Sequence, residues 1–119
     1  MNDIQPSLAD AGGPSGFAPV KSDGALSPVQ VCFALGNQDR WRLVKILSDG
    51  QPKSVAELAR ALGRKFNGVG RHIAILRRAG IVAVCQPEGA NRRMSWQEIP
   101  AAFRATPGVL DFGCCTVRL

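Results

Sequence analysis

Between Pro28 and Arg78 apolar residues recur three and four positions apart, and that spacing predicts four helices. Ser27-Pro28 has the form of an N-cap followed by proline at the first helical position, opening a helix through Leu35 that carries Val29, Val31, Cys32 and Phe33. Gly36 ends it. Asn37 caps a second helix in which Trp41, Val44 and Leu47 make a stripe widened by Leu43 and Ile46, with Arg40, Arg42 and Lys45 facing outward. Asp49-Gly50-Gln51-Pro52 stops it. Ser54-Val55-Ala56-Glu57 matches a capping box, in which the serine hydroxyl accepts from the backbone N–H of Glu57 and the carboxylate accepts from that of Ser54. The third helix that it opens places Val55, Leu58, Ala59 and Leu62 on one face and ends at Gly63. A fourth, from about Phe66 to Arg78, aligns Phe66, Val69, Ile73 and Leu76, and Gly80 closes it.

The period then changes. Ile81 to Gln86 is β-prone, Pro87-Glu88-Gly89-Ala90-Asn91 is turn chemistry, and Arg92 to Gln97 alternates, so the pair predicts a hairpin with Arg92 and Arg93 at its return. A short helix around Ile99–Arg104 and a stop at Thr106-Pro107-Gly108 precede an apolar tail at 107–119, read as one strand over Val109–Leu119. Residues 1–26 are broken by Pro6, Gly12, Gly13, Pro14, Gly16, Pro19 and Gly24 and read as a disordered arm, which leaves 27–106 as the domain.

Composition adds a partner class. The 119 residues are 45% hydrophobic and 20% charged, as in a globular protein with one modest core. Charge is uneven: residues 1–36 are net −2, residues 37–98 are net +7, and the remainder is net +1. Basicity in the middle of the chain points to a polyanion, although a solvated basic face has the same composition. No apolar run approaches the ~18–20 residues of a membrane span, and the acidic, polar start differs from a secretory signal, so a soluble cytoplasmic protein without membrane contact is expected. Cys32, Cys85, Cys114 and Cys115 are irregularly spaced and are read as reduced thiols.

Two helices joined by a tight turn, the second followed at once by a hairpin, form the winged helix-turn-helix arrangement. The predicted fold class is α+β, mainly helical, with a two-stranded wing and a short C-terminal strand. The blocks Leu35–Leu47, Ser54–Gly63 and Val69–Val82, in that order across roughly residues 33–97, resemble the ArsR-type bacterial repressors. The resemblance implies a homodimeric regulator bound to palindromic double-stranded DNA and often released by a metal ion or other effector; the residues name no small-molecule effector. Two departures stand out. Ser54-Val55-Ala56-Glu57 holds no thiolate where metal-sensing members carry Cys-x-Cys, so that metal site is absent. The long C-terminal helix that usually helps the family dimerise is replaced by Pro107-Gly108 and the tail, which is expected to join a homodimer beside the first helix.

The candidate DNA-binding residues are Lys65, Asn67, Gly68, Arg71, His72, Arg92 and Arg93. Asn67 suits an adenine edge, Lys65 and Arg71 suit guanine or phosphate, and Arg92 and Arg93 suit phosphate or the minor groove. Gly68 and Gly70 in a helix cost about 1 kcal/mol each relative to alanine and would let the backbone approach DNA closely. His72, the single histidine, is read as packing near the hairpin or bonding a phosphate, since no acid is placed to orient it. Trp41, Trp96 and Phe103 are read as core, with base stacking as the lesser alternative. Cys114 and Cys115, placed on a strand, would point to opposite faces and pack as small apolar residues, with a soft-ion or redox site completed by Cys32 or Cys85 as the lesser alternative. No catalytic residue, metal site or cofactor is expected, and the protein is not read as an enzyme. The competing reading is a winged-helix protein-interaction module that no longer reads DNA.

Overall fold

The computed structural model describes residues 26–119, and the arm predicted for the residues before Leu26 lies outside the described residues. Leu26 itself is not part of an arm. It is buried, its N–H donates to the Phe112 carbonyl at 3.4 Å, and its side chain fills the space over Gly80. At Gly80 φ is +87° and an added Cβ would lie 2.7 Å from the Leu26 side chain, so glycine is required on two counts.

The helices are α1 (Pro28–Leu35), α2 (Gln38–Leu47), α3 (Val55–Leu62) and α4 (Phe66–Arg78). Their termini are local chemistry. Ser27 accepts from Gln30 N–H, Asn37 accepts from the N–H groups of Asp39 and Arg40, and both halves of the Ser54/Glu57 capping box are made, at 3.2 and 2.9 Å. Gly63, at φ +69°, turns the chain left-handed so that α4 can start three residues later.

The strands are β1 (Lys53–Ser54), β2 (Ala83–Cys85), β3 (Trp96–Glu98), β4 (Val109–Asp111) and β5 (Thr116–Arg118). The wing is shorter than its alternation predicts and gains a third strand. β3 lies between β2 and β1, antiparallel to both, with Gln97 opposite Val84 on one side and Lys53 on the other. Residues 86–95 form the wing loop, so Arg92 and Arg93 sit in a turn, not on a strand. Asn91 organises that turn: its side chain accepts from Arg93 N–H at 2.9 Å and its carbonyl from the Trp96 indole at 3.3 Å.

The helix expected at Ile99–Arg104 contracts to a 3-10 turn, Ala101–Phe103, and the tail is two strands, not one. β4 and β5 form a hairpin that reverses at Gly113, and Leu110 and Phe112 enter the core, where Phe112 meets Phe103 edge-on with ring centroids 5.2 Å apart. Leu43, Val44 and Leu47 of α2, Leu58 of α3 and Val69, Ile73 and Leu76 of α4 are at most 1% exposed, and Ile81 and Ile99 close the core from the sheet side. Trp41, Trp96 and Phe103 are half-buried. Among the described residues no helix is long and apolar enough to cross a membrane.

Two helical positions depart from their predicted faces. Arg40 points inward and is buried, whereas Phe66 leaves the α4 core stripe and is 57% exposed. The Arg40 guanidinium lies 5.5 Å from the centre of the Phe33 ring, and its donors reach the last carbonyls of α1, Nε to Ala34 at 2.6 Å and Nη2 to Phe33 at 3.3 Å. The Phe33 carbonyl also accepts from the Gly36 N–H at 3.2 Å, so the cation adds a second donor there, supplies the donor for the Ala34 carbonyl, and complements the dipole at the end of α1.

Candidate nucleic-acid interface

α4 is held from behind and open in front. Val69, Ile73 and Leu76 bury one face; Asn67, Gly68, Arg71, Ala74, Arg77 and Arg78 are exposed. Lys65 is the N-cap residue, extended at φ −72°, ψ 145°, and its side chain makes no capping bond. The first turn contains no acid, so its free N–H groups, the helix dipole and Lys65 all favour an anion there. Arg64 is partly spent: its Nε donates to Asp39 at 3.1 Å.

Gly68 and Gly70 have ordinary helical backbones, and a Cβ built on either meets nothing within 4 Å. The fold itself therefore does not ask for glycine at either place. Of the other predicted residues, Arg92 and Arg93 are exposed in the wing loop.

His72 is half-buried and faces α2 instead of the hairpin. Arg40 Nη1 lies 3.2 Å from His72 Nδ1, and because arginine can only donate, a bond there requires Nδ1 as the acceptor. Nε2 lies 3.9 Å from Asp39 Oδ2, so an acid does stand beside the ring, contrary to the sequence expectation. Arg40, His72, Asp39 and Arg64 thus join the end of α1, the start of α2, the turn before α4 and the middle of α4. Periodicity missed Arg40 because a single buried cation does not disturb an apolar stripe.

Cys114 and Cys115 also differ from expectation. They lie in the hairpin turn between β4 and β5, not on a strand, and the Cys114 thiol approaches the Cys115 sulfur at 3.6 Å. Burial, then the hydrogen bond and charge of Cys114 and the charge of Cys32, push the Cys115 thiol up to about 11. Such a thiol is almost wholly protonated at neutral pH and is a weak nucleophile or metal ligand. All four cysteines are free thiols, and among the described residues no group of three or more His, Cys, Asp or Glu side chains is placed to hold a metal ion.

A second exposed face lies on α1. Val29 and Phe33, 74% and 66% exposed, border a groove of about 420 Å³ with Ile75 and Ala79 on its floor and Gln30 and Arg78 at its rim.

Four helices and a three-stranded sheet, with one strand before α3 and two after α4, make the fold a winged helix-turn-helix like that of ArsR-type regulators. The chain belongs to the HVO_A0114 family, whose model matches residues 37–99. Solved structures of similar fold include HlyU from Vibrio cholerae, with a TM-score of 0.55 at 24% identity over 65% of this chain and 79% of that one. An ArsR family transcriptional regulator gives 0.51 at 25% identity over 66% and 78%. The homodimeric winged helix-turn-helix DNA-binding domain of Mb0332 from Mycobacterium bovis, a possible ArsR-family transcriptional regulator, gives 0.51 at 21% over 60% and 61%. No curated protein matches the sequence.

Proposed function

We propose that the protein is a DNA-binding transcriptional regulator, a repressor and not an enzyme, that works in the cytoplasm as a homodimer. α4 enters the major groove with Lys65, Asn67, Gly68 and Arg71 toward the DNA, and the wing loop near 86–93 sets Arg92 and Arg93 on the backbone. His72 acts from behind the helix, through its bond to Arg40. Gly68 and Gly70 carry this reading. Both lower helix stability, neither is required by any internal contact, and a surface pressed against the helix backbone explains both. The protein-interaction module is the alternative.

Fluorescence anisotropy with a random-sequence duplex at 50 and 200 mM salt separates the two. A homodimer presenting Lys65, Arg71, Arg92 and Arg93 twice should lose on the order of 10³-fold or more in affinity between those concentrations, because binding releases counterions from the DNA and higher salt opposes that release. Absence of binding at the lower salt, or a flat response, supports the protein-interaction reading. Gly68→Ala and Gly70→Ala give a second test because their two effects oppose. Each should raise stability by about 1 kcal/mol, about 4–8 °C in Tm, and weaken DNA binding on the order of ten-fold. If the more stable variants bind as tightly as the parent, close approach of α4 to DNA is wrong.

A further inference from the structure

Phe66 is the first residue of α4, flanked by Lys65 and Asn67, and it is far more exposed than the apolar residues that follow it on the same stripe. The reason is positional. Val69, Ile73 and Leu76 are buried in the core, whereas Phe66, in the first turn of α4, lines an open groove beside Ala56, Ala59 and Arg60 of α3 and stays 57% exposed. Single exposed apolar residues are common on protein surfaces. This one stands between Lys65 and Asn67 in a first turn that contains no acid, with glycine two residues on.

An aromatic ring can neither donate to nor accept from a base edge in the plane of the pair. What the major groove offers such a group is the C5 methyl of thymine, the apolar feature that distinguishes T·A from the other pairs. We propose that Phe66 is a specificity-determining residue that packs on a thymine methyl, so that each half-site carries a thymine facing the first turn of α4. The assignment rests on the DNA-binding reading and adds to it a base preference that Asn67 and Arg71, as hydrogen-bonding side chains, do not supply.

The experiment uses the full chain and a duplex selected by it from a random pool. Each thymine is replaced in turn by uracil, which removes the methyl group and nothing else. The expected result is one position per half-site at which the replacement lowers affinity about four-fold, the worth of one buried methyl group. Phe66→Ala should bind the thymine and uracil duplexes equally while keeping the parent Tm and salt dependence, and Phe66→Leu should keep part of the discrimination. Equal binding of thymine and uracil by the parent at every position overturns the assignment, as does discrimination that survives in Phe66→Ala. A parent chain that selects no duplex overturns the DNA-binding reading and this assignment with it.

Discussion

Val29→Glu is expected to turn the protein into a monomer without unfolding it, and to lower its affinity for a two-half-site duplex by about 10²-fold or more. Val29 lies in the first turn of α1, where no acid is present, so a glutamate there meets the favourable end of the helix dipole and costs the fold little. The same carboxylate would sit in the apolar groove shared with Phe33, Ile75 and Ala79, the exposed apolar face on which the proposed homodimer is expected to close. A paired protein gains on two half-sites because the second contact becomes intramolecular, typically a gain of about 10²–10⁴ that a monomer forfeits. Light scattering and anisotropy on the two-half-site duplex measure both effects. A dimer that persists in Val29→Glu would place the contact elsewhere, with the half-buried Val109, Val117 and Leu119 of the tail as the next surface to vary. Deleting the tail tests this less well, because Leu110 and Phe112 belong to the core and their loss would unfold the domain.

Arg40→Met should cost about 2–3 kcal/mol, lowering Tm by roughly 10–20 °C. Methionine fills much of the same space, but the Ala34 carbonyl and the His72 ring nitrogen lose the guanidinium as donor together, and the Phe33 carbonyl keeps only the Gly36 N–H. Arg40→Lys should recover only part of the loss, since one ammonium group cannot span acceptors on α1 and α4 at once. Thermal unfolding of both variants checks the magnitude, and NMR of the His72 ring checks the cause. If Nδ1 is unprotonated in the parent and the ring loses its single tautomer in Arg40→Met, the bond is real. A Tm within about 2 °C of the parent would show that the buried guanidinium is replaceable by any side chain of its volume.

These two sites differ in how they could be read. Val29 and Phe33 are visible in the sequence as apolar helix residues, but periodicity treats every apolar residue as core, and only the packed domain leaves this pair uncovered. Arg40 fails in the opposite direction. Its charge assigns it to solvent by default, and its burial depends on α1 ending above it with two carbonyls to receive it. Phe66 follows the α4 stripe in angle but borders an open groove beside α3 instead of the core, and a helical period does not tell the two apart. The candidate interface was more legible. Residue type and helical position place Lys65, Asn67, Gly68 and Arg71 on the outward side of α4, and all four are exposed. His72 was legible only as the single histidine; its orientation is set by groups 32 and 33 positions away.

Whatever depends on residues three or four apart was already present in the chain: the caps at Ser27, Asn37 and Ser54, the stop at Gly63, the order of helices and wing, and the basic face of α4. A hydrogen bond between near neighbours forms whether or not the rest of the domain is known, which is why such features survive as sequence patterns. The two-residue strand Lys53–Ser54 exists only because β3 lies beside it, since nothing in two residues specifies a strand. The tail folds as a hairpin because Leu110 and Phe112 join Leu26 in the core and the chain reverses at Gly113, φ +87°, and the approach of Cys114 to Cys115 follows from that turn. Contacts between distant segments are decided by the shape and volume left by everything else. That quantity belongs to the packed molecule and is written at no single position of its sequence.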